Sequence, residues 1–154
     1  MFNFNFYNPT RIYFGKDRLE AINENVPVDA KVLITYGGGS AKRSGLIDKV
    51  KSILGNREIF EFSGIEPNPK YETLMKAVEV VKAENIDYIL AVGGGSTIDG
   101  TKFISLASNY EGDPTELLMK GLSGITSEMV KKVIPFGSVL TLPATGSEMN
   151  SGAV

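Results

Sequence analysis

Twice in this chain a short apolar run empties into the same four residues. Val32-Leu33-Ile34-Thr35-Tyr36 runs into Gly37-Gly38-Gly39-Ser40, and Tyr88-Ile89-Leu90-Ala91-Val92 runs into Gly93-Gly94-Gly95-Ser96. A segment that reads as helix follows each. A buried strand, a glycine turn and a helix N-terminus together form an anion site, because unpaired amide N–H groups and the positive end of the helix dipole face outward there. Glycine lets the backbone come close to a ligand and take positive φ. Two such exits in one small sheet suit a ligand with more than one phosphate. Neither copy completes the dinucleotide fingerprint G-x-G-x-x-G, since Lys42 and Ile98 stand where its last glycine belongs. Neither is a P-loop, because Thr101-Lys102 follow the Gly95-to-Gly100 spacer in the wrong order.

The remaining pattern alternates strand and helix. Leu19, Ile22 and Val26 mark a short helix, and Leu46, Ile47, Val50, Ile53 and Leu54 form a strong helical stripe. A strand over Glu58 to Phe62 leads to a loop and a helix with Leu74, Ala77, Val78 and Val81 on its apolar face. Asn68 as N-cap with Pro69 at the first helical position predicts where that helix starts. Thr97 to Ser108 reads as a buried helix, Asp113 to Lys132 as one or two short helices, and Val139 to Pro143 as a further strand. The opening Phe2-Asn3-Phe4-Asn5-Phe6-Tyr7 alternates aromatic and polar residues, and with Arg11 to Gly15 it reads as a β-hairpin with one apolar face. The pattern predicts an α/β fold: a Rossmann-like parallel sheet with helices on both faces and an N-terminal β-hairpin. Ligands are then expected at the carboxyl ends of the strands. Gly37 to Ser40, Pro67 to Asn68, Gly93 to Asp99 and Thr141 to Asn150 all fall there.

Composition narrows the chemistry. The 154 residues suit one nucleotide-binding domain spanning 1–154, and a net charge of −2 with scattered Lys and Arg offers no surface for nucleic acid. No apolar run reaches the roughly 20 residues of a membrane span and no signal peptide opens the chain, so a soluble cytoplasmic protein is expected. Histidine and cysteine are both absent, which removes imidazole bases, thiolates and the commonest metal ligands. The carboxylates Glu66, Asp99 and Glu148 are too scattered to promise a tight metal site. The closing Ser151-Gly152-Ala153-Val154 is neither a helix cap nor a polar tail, and the domain reads as cut at its C-terminal end.

Several stretches together resemble the amino-terminal half of the iron-containing (group III) alcohol dehydrogenases, of the NADP-dependent butanol-dehydrogenase or aldehyde-reductase type. They are the Phe-rich opening with Asn8-Pro9-Thr10, Tyr36 to Ser40, Gly64 to Leu74, Ala91 to Ser96, and above all Thr141-Leu142-Pro143-Ala144-Thr145-Gly146-Ser147-Glu148-Met149-Asn150. The resemblance implies that Gly94, Gly95 and Ser96 bind a pyrophosphate, with Asp99 one turn in, near the nicotinamide. It implies that Gly38, Gly39 and Ser40 surround the adenosine ribose, that Asn68 reaches the adenine side, and that Thr141, Thr145 and Asn150 line the nicotinamide and inner ribose. It further implies a divalent metal, Fe or Zn, held by an Asp and three His in an all-helical carboxyl-terminal domain. That domain is absent here, so the expected object is a cofactor half that is inactive alone, with no catalytic or metal residue of its own. The full-length enzyme would act on a small alcohol or aldehyde.

The residues themselves favour NADP(H). NAD sites usually carry a carboxylate that grips the ribose 2′-OH, whereas here glycine and serine are followed by Lys42 and Arg43. A side chain at Gly95, as in Gly95→Val, is expected to block the phosphates while leaving the fold largely intact. A homodimer is expected from the aromatic terminal hairpin. Two alternatives stand beside this reading: a stand-alone, non-catalytic nucleotide-binding module, and a relative of the dehydroquinate synthase and glycerol dehydrogenase group.

Overall fold

A computed structural model describes residues 3–5, 7–119, 128 and 132–154. Four parallel strands form one sheet: β1 (Lys31–Tyr36), β2 (Glu58–Ser63), β3 (Tyr88–Gly93) and β4 (Phe136–Leu140). Their spatial order is β2-β1-β3-β4. The central strands β1 and β3 are almost wholly buried, as their near-continuous apolar sequences require when both faces are covered. Side chains alternate across the sheet. Val32, Ile34, Tyr36, Leu90 and Val92 pack on one side with Ile47, Val50 and Leu54 of α3 (Leu46–Leu54), next to the short α1 (Ala21–Asn25) and α2 (Ser40–Arg43). Leu33 and Ile89 pack on the other side with α4 (Tyr71–Glu84) and α5 (Gly95–Ala107). Helices therefore cover both faces, and each fully buried Ile or Leu contributes about 1.5–3 kcal/mol. α6 (Thr115–Met119) falls within the expected helical stretch, whose remainder lies largely outside the described residues.

The chain reverses direction in the middle of this sheet. From β1 it passes through α2 and α3 to β2 on one side; from β2 it crosses back through α4 to β3 on the other side of β1. Tyr36 pairs with Val92, so the two glycine exits leave the sheet side by side at this switch point. One buried contact sits directly beneath them. The Thr35 and Thr101 hydroxyls lie 2.7 Å apart, and Thr101 donates to the Thr97 carbonyl at 2.8 Å, so Thr35 supplies the proton between them. This bond ties β1 to α5 where no water reaches.

Three local expectations are corrected. Residues 3–5 and 7–14 pair with no strand, so the described part of the expected terminal hairpin is not formed. Phe4, Tyr7 and Phe14 are 80, 87 and 94% exposed. A two-stranded ribbon whose apolar face meets nothing is marginal in water. β4 lies three residues earlier than expected, because Ile89 pairs with Phe136 and the ladder ends where the Thr141 N–H donates to the Gly93 carbonyl at 2.9 Å. Gly137 belongs in that strand because the Tyr88 hydroxyl occupies its Cβ space, at 2.7 Å. Finally, Asn68 does not cap α4, which starts at Tyr71 with Lys70 before it. Asn68 has φ 56°: Pro69 crowds the right-handed region for the residue before it, and Asn is among the few side chains that accept the left-handed one.

Replacing Thr101 by Val should strand the buried Thr35 hydroxyl and cost about 1–3 kcal/mol in urea unfolding. The double variant Thr35→Val/Thr101→Val should recover most of that loss, because no buried donor is then left without an acceptor.

Candidate functional site

A cleft of about 290 Å³ opens at the switch point, at the small end of the range of ligand sites. Its floor is Gly37 and Gly38 from the first exit and Gly94, Gly95, Ser96 and Thr97 from the second. Its walls are Ile65 and Pro67 after β2, and Leu142, Ala144 and Thr145 after β4. The segments after all four strands therefore meet at one place. α5 begins at Gly95 with no side-chain cap, and the first backbone bond recorded onto its start is Ile98 N–H to the Gly94 carbonyl. The N–H groups of Gly95, Ser96 and Thr97 have no intrahelical acceptor and carry the positive end of a 13-residue helix.

The glycines of the two exits do different work. A Cβ on Gly38 would meet nothing within 4 Å, and one on Gly94 only Leu142 Cβ at 3.7 Å, so both leave backbone exposed to the cleft. Gly93 and Gly95 are demanded by the protein itself. A Cβ on Gly93 would lie 2.4 Å from Thr97 Oγ1, and one on Gly95 would lie 2.3 Å from Thr145 Oγ1. Gly95 thus admits the loop after β4, where the Thr145 and Ser147 hydroxyls bond at 2.8 Å. Gly39 has φ 94° and closes the first turn, with its N–H donating to the Gly37 carbonyl at 2.9 Å. These open glycines and unpaired amides are what a pyrophosphate cradle requires, so the cleft fits the phosphate region of a dinucleotide.

Of the residues singled out from the sequence, Gly38, Gly94, Gly95, Ser96 and Thr145 line the cleft; Gly39, Ser40, Asn68, Asp99, Thr141 and Asn150 are not among its lining residues. Ser40 opens α2 beside the first turn, and exposed Asn68 follows Pro67 of the wall. Thr141 continues the β3–β4 ladder through its backbone. Asp99 and Asn150 are joined by Lys102, which the sequence reading met only as a residue out of P-loop order and gave no place in the site. Lys102 reaches Asp99 Oδ1 at 3.2 Å, Asn150 Oδ1 at 3.1 Å and the Gly152 carbonyl at 2.5 Å. Its only sequence signal is the i, i+3 spacing from Asp99. Ile65 lay outside the segments expected at the strand ends, and Pro67, Leu142 and Ala144 lay within them without being singled out, since apolar loop residues carry no chemical signature.

The two cations after the first exit have separate fates. Lys42 is drawn to Glu61 Oε2 at 3.3 Å, whereas Arg43 folds back over the exit. Arg43 Nη1 donates to the Gly38 carbonyl at 3.4 Å and lies 3.2 Å from where a Gly39 Cβ would be. The Lys51 ammonium and then the Tyr36 hydroxyl hold the Glu61 carboxyl down to about 2. The chain has no His or Cys, and among the described residues no three acidic side chains gather where an ion could be held.

Comparison with known proteins gives this architecture a family. The sequence model of the iron-containing alcohol dehydrogenases matches residues 9–154, and this chain belongs to that family. It is 53% identical over 156 aligned residues to the NADPH-dependent aldehyde reductase YqhD of Escherichia coli K12, covering 100% of this chain and 39% of that protein. It is 46% identical, over equal shares, to the probable NADH-dependent butanol dehydrogenase 1 of Bacillus subtilis. The crystal structure of E. coli YqhD superposes with a TM-score of 0.88 over 96% of this chain and 37% of that one. That of NADH-dependent butanol dehydrogenase A from Thermotoga maritima, 39% identical, does so with 0.84 over 96 and 37%. The chain therefore spans about two-fifths of the length of these relatives. The named cofactor differs between relatives of comparable similarity, so family membership alone leaves that choice to local geometry.

The packing at Gly95 revises the expected effect of a side chain there: the fold is not spared. Gly95→Ala should push Thr145 away, break its bond to Ser147 and lower the melting temperature. Gly95→Ala/Thr145→Ala should regain in a thermal melt only the part of that loss due to the clash, because the atoms in closest conflict are gone while the buried Ser147 hydroxyl still lacks the Thr145 partner.

Proposed function

We propose that this chain is the NADP(H)-binding part of a metal-dependent alcohol dehydrogenase or aldehyde reductase that interconverts primary alcohols and aldehydes. The observation that carries the reading is the pairing of two anion-binding exits across one cleft, with Arg43 over the first and no acidic side chain lining the cleft. Gly94, Gly95 and Ser96 would hold the pyrophosphate on the open end of α5. Gly38, Gly39 and Ser40 would take the adenosine ribose, with the Ser40 hydroxyl and Arg43 guanidinium facing its 2′-phosphate. Asn68 would border the adenine. Thr141, Thr145 and Asn150 would border the nicotinamide and its ribose, with Asp99 beside them through Lys102. When bound, the cofactor supplies the hydride acceptor or donor. The metal in the family's name has no ligand set among the described residues, so on this reading its site, and the alcohol or carbonyl it polarises, belong to the remainder of a protein of the relatives' length.

Calorimetric titration should find NADPH bound more tightly than NADH. Arg43→Met should weaken NADPH by about 10- to 100-fold, the scale of a lost charged hydrogen bond, and NADH far less. Gly39→Asp should reverse the preference, because its carboxylate would neutralise Arg43 and repel the 2′-phosphate. Equal affinity for the two cofactors in the unmutated chain would sink the proposal.

The 154-residue chain supplied with iron or zinc should oxidise no butanol and reduce no butyraldehyde, since nothing in it replaces a metal's stabilisation of a developing alkoxide. Chelator-sensitive turnover, or stoichiometric metal in the purified chain, would show that the chemistry lies within these residues after all.

A further inference from the structure

Glu61 is a carboxylate in the edge strand β2, on the face shared by Ile59 and Tyr36. Its side chain is only 23% exposed, and three donors converge on it. Oε2 accepts from the Tyr36 hydroxyl at 2.6 Å and from Lys42 Nζ at 3.3 Å, while Oε1 accepts from Lys51 Nζ. Tyr36 is the last residue before the Gly37–Ser40 turn, and Lys42 is the third residue of the helix that follows the Gly39 cap. A single carboxylate oxygen therefore binds the chain on both sides of the turn. The cluster contains two cations and one anion, which leaves one net positive charge next to the exit. Among the described residues Arg43 pairs with no carboxylate, so it is the cation left on the turn itself.

We propose that Glu61 is a positioning residue that sets cofactor selectivity, holding the Gly37–Ser40 turn between Tyr36 and Lys42 and fixing how much positive charge the turn presents to a ribose 2′-phosphate. This rests on the reading above, that the first exit takes the adenosine end of the cofactor. The competing account is that Glu61 only protects an edge strand, where an inward-pointing charge discourages pairing with other chains. The two accounts separate because charge at the turn acts on NADPH and hardly at all on NADH, whose ribose carries no 2′-phosphate. Its carboxyl stays ionised at any pH at which the protein would be assayed, so the effect is constant over that range.

Two variants move the charge in opposite directions. Glu61→Gln keeps the shape and an acceptor for Tyr36 but removes the anion; Lys51→Met keeps the anion and removes one of its partners. NADPH and NADH are titrated into the chain and both variants at low and high salt, with circular dichroism to check folding. The affinity ratio of NADPH to NADH should rise about three- to tenfold in Glu61→Gln and fall by a similar factor in Lys51→Met, and both changes should shrink at high salt. Should Glu61→Gln not fold, Lys51→Met alone decides, since it lies on α3 away from the turn. An unchanged ratio in the folded variants, or loss of both cofactors in parallel, would overturn the proposal and leave Glu61 as edge protection or a plain staple. If the unmutated chain binds neither cofactor, both this proposal and the functional reading beneath it fail, an outcome distinct from binding with an unaltered ratio.

Discussion

Everything distinctive here depends on the pairing of β1 with β3. The two strands are separated in the chain by a helix pair, an edge strand and a long crossover, yet they lie in parallel register from Val32 opposite Tyr88 to Tyr36 opposite Val92. Adjacent strands lie about 4.8 Å apart, so this register delivers both glycine exits to one point on the sheet. Had β2 lain between them, each exit would have been an isolated turn. The buried Thr35–Thr101 contact and the alternating apolar faces of β1 fix that register, since a slip of one residue would turn Leu33 and Thr35 to the wrong side.

Polar groups around the cleft are arranged in two ways. On the floor, the backbone is left open and the start of α5 carries no capping side chain. At the sides, charged groups are held by neighbours: Lys42 and Lys51 share Glu61, and Asp99 and Asn150 meet Lys102. Such pairing ties these side chains away from the floor, whose own donors are backbone amides. Arg43 is the exception, held to a carbonyl and not to a carboxylate.

Much of this was legible in the sequence, for reasons that differ between elements. β1, β3 and α3 announced themselves because both strands are buried on two faces and α3 on one, which leaves a strong apolar signature. The repeated glycine exits located the site because open backbone at a strand end can be supplied by few other residues. β4 was misplaced since Pro135 and Gly137 conceal a strand whose fit depends on Tyr88, a contact no local pattern encodes. The terminal aromatics alternate as a hairpin would, but periodicity cannot say whether anything lies opposite. Asn68 failed as a cap because flanking prolines overrode a preference that is only local. Gly95 was read as a glycine that a ligand needs and the fold does not, whereas its Cβ space is claimed by Thr145, a contact no local pattern encodes.

The fit of Thr145 against Gly95 also bears on when the cleft comes into being. One wall consists of Leu142, Ala144 and Thr145, which follow the last strand, while the opposite wall and floor were laid down some fifty residues and more earlier in the chain. A nascent polypeptide that has completed β3 and α5 has the amides but not the enclosure. A dinucleotide recognised by this cleft would therefore add its binding energy only to a sheet whose fourth strand has docked, by mass action on that docked state. Nucleotide in the surrounding solution would then favour docking of the fourth strand, and so act on how this part of the chain folds.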